Sequence, residues 1–155
     1  MITSVVRSLW IASDSNSSMI SLTTAHLVPG RGIEGDRYYY GRGTFPTGER
    51  SGYEVTLIEE DMLHDLVQDG LRTGIMKGTR RNIIVSGCSL ATLVERPFRI
   101  GEVMLRGLMP HYLHCSPHEI REEQRLRRGI GAQILTEGFI HVGDEICNVS
   151  LVRVG

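Results

Sequence analysis

Between His111 and Glu119 the chain reads His-Tyr-Leu-His-Cys-Ser-Pro-His-Glu. Three histidines and one cysteine within eight residues are the side chains of nucleophilic, proton-transfer or metal-ligating chemistry. Ser116 is of the N-cap type, Pro117 suits the first helical position, and Glu119, three residues after Ser116, completes a capping box. Cys115 is then expected just outside a helix N-terminus, where free N–H groups and the macrodipole favour a thiolate, and a protonated His114 or His118 would act in the same direction. On this reading Cys115 is a sulfur nucleophile or a metal ligand, and His114 or His118 accepts its proton. The same residues also read as a small buried cysteine among ordinary loop histidines. A third reading is a divalent-metal site of His111, His114, Cys115 and His118. The H-x-x-H-C-x-x-H spacing allows three ligands, although adjacent His114 and Cys115 seldom both reach one ion.

Two other stretches carry chemistry. Gly30-Arg-Gly-Ile-Glu-Gly-Asp-Arg37 has three glycines in six positions, a backbone able to take positive φ and to approach a ligand closely. It has neither the following helix of a dinucleotide-binding turn nor the Lys-Ser/Thr of a P-loop. Asp36 and Arg37 either serve a ligand or pair with one another in a demanding turn. Further on, Arg80, Arg81 and Asn82 stand at the entrance of an apolar run. Two guanidinium forks and an amide there are suited to an anion and a ring or carbonyl edge. The chain has sixteen arginines and a single lysine, Lys77, a bias that genomic base composition also produces. Lys77 lies in a Gly-containing loop without the surroundings a Schiff-base lysine needs.

These groups must be positioned by one domain, since 155 residues suffice for a single ordinary core spanning residues 1–155. With 41% hydrophobic and 23% charged residues the composition is that of a soluble globular protein. A net charge of −1 gives no sign of a nucleic-acid or anionic-membrane partner. Three cysteines without a C-x-x-C pair point to reduced thiols, with Cys88 and Cys147, in or beside strands, expected as core thiols. The Val5–Ala12 run is too short for a signal anchor, and a cytoplasmic location is the default expectation.

The coarse pattern is a succession of short strands. Ser4–Ile11, Leu22–Val28, Val55–Ile58 and Ile83–Ser86 read as strands from their β-branched and aromatic content. Ser89–Val94, Phe98–Gly101 and Val103–Gly107 continue as short apolar runs. Gly131–Leu135, Phe139–Val142 and Glu145–Val154 follow, separated by turns at Glu137-Gly138 and Gly143-Asp144. Tyr38–Gly52 reads as a surface loop and candidate lid. Two helices are expected: Glu59–Asp69, with an acidic first turn and an apolar Met62, Leu63, Leu66, Val67 face, and the charged Pro117–Arg128. Many short strands and two short helices predict an all-β barrel with the helices outside.

Four blocks in order resemble the MOSC domain, the module found at the C-terminus of molybdenum-cofactor sulfurases and as stand-alone bacterial proteins. They are Gly32-Ile-Glu-Gly-Asp-Arg37, Arg80-Arg-Asn and the strand to Val85, Phe98-Arg-Ile-Gly-Glu-Val103, and Phe139-Ile-His-Val-Gly-Asp-Glu-Ile146. The resemblance runs from about Val5 to Ile146. It implies a MOSC-type β-barrel that binds the molybdenum cofactor through its anionic pyranopterin end, with a cysteine as sulfur carrier or molybdenum ligand. By position, Arg37, Arg81 and Asn82 fall where such proteins engage the cofactor or shape its pocket, Asp36 on the turn that supports them, and Arg80 beside them.

The sequence departs from the pattern where stand-alone members usually carry a C-x-P-C-like segment. Without a gap its cysteines fall on His111 and His114, and with a one-residue shift the second falls on Cys115. The segment that follows, up to Gly129, is also short. The function the resemblance implies is molybdenum-cofactor binding or sulfur carriage, in cofactor sulfuration or metal–sulfur delivery, with Cys115 as carrier or ligand. The alternatives are a non-catalytic anion- or partner-binding barrel that has lost the thiol chemistry, and a molybdenum-dependent reductase of N-hydroxylated compounds. A sulfur-donor or electron-transfer protein would be the partner. Pyridoxal phosphate belongs to a separate domain of the sulfurases and is not expected here.

Overall fold

The computed structural model describes residues 3–14, 16–40, 54–62, 81–108 and 129–149. Eleven strands account for most of them: β1 (Val5–Ile11), β2 (Ile20–Leu22), β3 (Thr24–Val28), β4 (Gly32–Ile33), β5 (Val55–Glu59), β6 (Ile83–Ser86), β7 (Pro97–Ile100), β8 (Val103–Leu108), β9 (Ile130–Ile134), β10 (Gly138–His141) and β11 (Ile146–Asn148). The Leu22–Val28 run divides at Thr23 into β2 and β3. The Ser89–Val94 run is a turn of 3-10 helix over Leu90–Leu93, with Leu90 and Leu93 buried.

Eight strands form one curled sheet in the order β11-β7-β8-β9-β5-β6-β1-β2, and β10-β3-β4 form a second. The larger sheet curls round until the chain entering β11, at one end, meets β1, next to the other end. The Val6 N–H donates to the Asp144 carbonyl, the Gly143 N–H to the Val6 carbonyl and the Ile146 N–H to the Ser4 carbonyl, so the chain entering β11 is bonded to β1. Closure of this kind satisfies strand edges that would otherwise be open. Alternating inward residues fill the interior: Val6 and Leu9 of β1, Phe98 and Ile100 of β7, Val103 and Leu105 of β8, with Leu57, Ile83 and Ile130 among them.

β5 and β6 are parallel, in register at Leu57↔Ile83, whereas every other named pair is antiparallel. A parallel pair needs a crossover between its strands and is covered on both faces. Accordingly Val55, Thr56, Leu57 and Ile58 are all buried, as are Ile83, Ile84 and Val85. Ile58 and Ile84 point away from the barrel interior into a small second cluster with Trp10 and Met62. Met62 lies on a helical turn that begins at Glu60, one residue later than the acidic start suggested, because Glu59 still belongs to β5. The rest of that helix, the 41–53 loop and the helix expected from Pro117 lie outside the described residues.

Two of the MOSC-like blocks meet at the closure. Gly101, at φ +56, turns the β7–β8 hairpin, and a Cβ there would stand 2.7 Å from Asp144 Oδ2. The Gly101 N–H donates to the Glu145 carbonyl and the His141 N–H to Asp144 Oδ2. Their shared role is to close the barrel. Cys88 is half-buried against the core, as expected, but Cys147 is exposed. Ile146 takes the inward position at the start of β11, which turns Cys147 outward beside Arg99.

Candidate functional site

The Gly-rich turn and the entrance of β6, far apart in sequence, are joined by the last residues of β1. Gly30, Gly32 and Gly35 have φ of +79, +119 and +94, the left-handed region that the glycine spacing predicts. Gly32 also lets the turn touch the barrel, since a Cβ there would lie 2.6 Å from the Glu54 carbonyl oxygen. The turn delivers Asp36 and Arg37 to Ala12, just beyond β1. The Arg37 N–H donates to the Ala12 carbonyl, and the Ala12 N–H donates to Asp36 Oδ1 at 3.0 Å.

Asp36 and Arg37 are buried, 0% and 3% exposed, and are paired at 3.1 Å between Oδ1 and a terminal guanidinium nitrogen. Asp36 Oδ2 also accepts the Tyr38 N–H. The Arg37 guanidinium stands 4.7 Å from the Tyr38 ring centroid and 3.7 Å from the Met19 sulfur. The pairing of Asp36 with Arg37 is therefore found, and it is deep enough that each charge requires the other.

Asn82 is fully buried. Its amide oxygen accepts from the Thr56 N–H and hydroxyl, its amide nitrogen donates to the Trp10 carbonyl at 3.0 Å, and its own N–H donates to the Thr56 hydroxyl. Its carbonyl accepts the Trp10 N–H. One side chain thus fixes β1, β5 and β6 to each other. Arg81, the next residue outward, is half-buried. A Cβ at Gly129 would stand 3.3 Å from Arg81 Nε and 2.1 Å from the Leu57 carbonyl oxygen, so the bare glycine makes room for the guanidinium.

Tyr38 stands against the Asp36–Arg37 pair. It is 4% exposed, and burial pushes its phenol up from the ordinary value, against the opposing pull of Arg37 and Arg81. The phenol therefore stays protonated through the neutral range. The sequence reads Tyr38 with Tyr39 and Tyr40 as the start of a surface loop, but Tyr38 is buried, because its N–H is held by Asp36 and its ring lies against Arg37. Thr56 and Trp10, the partners of Asn82, carried no chemical signal.

Glu54 holds the turn from the other side. One carboxylate oxygen accepts the Gly30 N–H at 3.0 Å and the Ile134 N–H at 3.1 Å. Burial raises its carboxyl above the ordinary value, and the N–H groups of Ile134 and Gly30 oppose the shift. A raised folded-state value favours the protonated form. That contribution is present below the unfolded value and is lost as pH rises through the folded one. Glu54→Gln keeps an acceptor and removes the charge. It is expected to melt at or above the wild-type temperature at about pH 7, with the difference shrinking toward about pH 4. A lower melting temperature at neutral pH would mean that the ionised oxygen gains more from its two donors than it loses to burial.

Of the residues singled out in the sequence, Asp36, Arg37, Arg81 and Asn82 come together at one end of the barrel. Arg80, His114, Cys115 and His118 lie outside the described residues, as does His111. Among the described residues no three His, Cys, Asp or Glu side chains are grouped to hold a metal, and no helix is long and apolar enough to cross a membrane.

No family model matches the sequence, and no curated protein matches it. Solved structures do. The YuaD protein from Bacillus subtilis superposes with a TM-score of 0.65 at 18% identity, covering 93% of this chain and 94% of that one. YiiM from Escherichia coli superposes at 0.56 and 14% identity, covering 94% and 71%. YiiM from Geobacillus stearothermophilus does so at 0.59 and 11%, covering 95% and 75%. The fold is MOSC-like. At these identities the likeness extends to the fold alone.

Proposed function

We propose that this chain binds the molybdenum cofactor through its anionic end and handles sulfur at Cys115, as sulfur carrier or molybdenum ligand in cofactor sulfuration or metal–sulfur delivery. The observation that carries the reading is the junction on Trp10–Ala12, which brings the Asp36–Arg37 turn and the Arg81–Asn82 strand entrance to the same end of a MOSC-like barrel. An anionic ligand at that end needs a guanidinium within reach and a frame that does not yield. Arg81 is only half-buried and sits against a glycine that leaves it space, while Arg37 and Asn82 are locked into the frame. The residues fit the group on those terms. Arg81, with Arg80, would contact the anion; Arg37 and Asn82 would shape the pocket, and Asp36 would support the turn.

The cofactor, when bound, would supply a molybdenum centre, for which a thiolate is a suitable soft ligand. The chain's part is to hold Cys115 as a thiolate beside the N-terminus expected at Ser116, to take its proton on His114 or His118, and to exclude competing orientations of the anion. A sulfur-donor protein, or an electron-transfer protein if the centre reduces N-hydroxylated compounds, would be the partner. Lys77 and pyridoxal phosphate have no role in this scheme.

The test is to mix the purified protein with freshly released molybdenum cofactor, desalt it, and measure protein-bound molybdenum and zinc, with Cys115→Ser and Arg81→Ala alongside. Stoichiometric molybdenum in the wild type, lost in Cys115→Ser, is the result expected of a ligand. Arg81→Ala should lower retention roughly tenfold or more, the scale of a lost charge-assisted hydrogen bond. Molybdenum retained by the wild type and by Cys115→Ser alike would leave an anion-binding barrel without thiol chemistry. Absence of molybdenum from the wild type would overturn the cofactor reading, and zinc in its place would favour the His111, His114, Cys115, His118 cluster.

A further inference from the structure

On the outward face of β3, His26 is approached from both sides. Its Nε2 lies 2.9 Å from Glu137 Oε2 in the β9–β10 turn, and its Nδ1 lies 3.6 Å from Glu34 Oε2, next to β4. Phe139 of β10, directly opposite in the register, stacks on the ring with centroids 4.5 Å apart and planes 14° from parallel. The carboxylates stand at opposite nitrogens of one ring, so the three groups form a bridge and not a metal site. A neutral imidazole has one N–H and one lone pair, whereas an imidazolium has two N–H groups. In this arrangement the neutral ring donates to one carboxylate and turns its lone pair toward the other. The shorter contact, to Glu137, is the one it keeps. The charged ring serves both, and the Phe139 face attracts a cation lying over it.

We infer that His26 is a positioning residue for the Gly-rich turn, and that its charge decides whether the Glu34 side chain is held. The backbone of the turn is tied to β3 in either state, since the Glu34 N–H donates to the His26 carbonyl at 2.9 Å. The side-chain tie is the part that depends on pH. Glu34 precedes Asp36 and Arg37 by two and three residues, so the tie acts on the segment that delivers the buried pair to Ala12. Histidine changes charge between about pH 5 and 8. The Glu34 contact is therefore present at the acid end of that range and lost as pH rises through it. Below about pH 4 the carboxylates themselves take up protons, and the contact is lost again. Among the described residues, the neighbouring ionisable groups are engaged elsewhere or face other atoms. His141, opposite Thr24, is paired with Asp144, Arg31 lies over Tyr39, and Glu102 of the β7–β8 hairpin lies against Gly138. None of this depends on whether the molybdenum cofactor binds.

The His26 side chain is 22% exposed and the two carboxylates 59% and 61%, so solvent screening keeps the tie modest in energy and it must be read directly. Nuclear magnetic resonance of the whole chain between about pH 5 and 8.5 would follow the His26 ring nitrogens, the Glu34 carboxyl carbon and the Glu34–Arg37 backbone N–H groups. As the ring nitrogens report loss of the imidazolium proton, the Glu34 carboxyl carbon and the turn N–H signals are expected to move with the same midpoint. In His26→Gln those movements should vanish. The melting-temperature advantage of wild type over this variant should grow by about 1–3 °C between about pH 8 and about pH 5.5. Turn signals that stay still while the ring titrates, or that move equally in His26→Gln, would overturn the inference, as would a ring that stays neutral down to about pH 5. Should His26→Gln not fold, Glu34→Gln takes its place: the ring still titrates, and the turn N–H signals no longer follow it. Turn signals that follow the ring in Glu34→Gln would refute the tie.

Discussion

Arg37→Ala is expected to destabilise the protein by about 3–5 kcal/mol, the usual effect of removing one partner from a buried ion pair. Asp36 is 0% exposed, so its carboxylate would be left without its cation in a site water does not reach. It would still accept the Ala12 and Tyr38 N–H groups, which limits the loss but does not neutralise the charge. The loss is not confined to the turn. Because Asp36 and Arg37 both bond to Ala12, loosening them frees the end of β1 that also carries the Trp10–Asn82 bonds. Against a total stability of about 5–15 kcal/mol for an ordinary domain, this is a large fraction. The companion variant Asp36→Asn/Arg37→Met removes both charges and keeps an acceptor for Ala12. It should be less damaged than Arg37→Met alone, a non-additivity read by urea denaturation of wild type, both single variants and the double variant. Strict additivity would show that the two charges do not depend on each other.

Gly129→Ala is expected to be comparably damaging, for steric reasons. Gly129 has φ +99, and an added Cβ would lie 2.1 Å from the Leu57 carbonyl oxygen and 3.2 Å from its carbon. Both obstacles are backbone, which cannot swing aside. Backbone strain at a positive φ costs about 1–3 kcal/mol, and overpacking adds about 1–3 kcal/mol. The molecule contains its own control. Gly143 has nearly the same φ, +95, with nothing within 4 Å of its Cβ position, so Gly143→Ala should show the strain alone. The difference in stability between the two variants then isolates the collision at Leu57. Because Arg81 Nε is the third neighbour of the Gly129 Cβ position, whatever Gly129→Ala protein does fold should also bind anions more weakly than Gly143→Ala. Equal stability of the two variants would mean that β9 shifts to accommodate the methyl group at no cost.

The strands themselves were readable in the sequence because a buried strand needs a run of β-branched and aromatic residues bounded by turn formers. Ile83–Ser86 appears where its composition placed it, and Val55–Ile58 and Val103–Gly107 are each extended by one residue in β5 and β8. The less accurate boundaries are at turns. Gly138 was assigned to a turn but begins β10, since pairing with Leu27 of β3 recruits it into the ladder. The split of Leu22–Val28 and the 3-10 turn at Leu90–Leu93 reflect the same limit: local composition does not report which neighbour a segment will pair with.

By itself, then, the sequence determined that the chain forms an all-β barrel of short strands, and that the glycines of the 30–37 turn can adopt backbone conformations closed to other residues, as they do. It determined these because both depend on local properties, side-chain branching in one case and the missing Cβ in the other. Only the tertiary structure decided that β5 and β6 run parallel, that Cys147 faces outward, and that Asp36, Arg37, Arg81 and Asn82 share one barrel end through Trp10–Ala12. It alone separated Tyr38 from the two tyrosines that follow. Those outcomes depend on desolvation and on contacts between residues remote in the chain. Burial turns an ordinary Asp-Arg dipeptide into an ion pair that neither partner can leave, and sets one of three consecutive tyrosines against the Arg37 guanidinium.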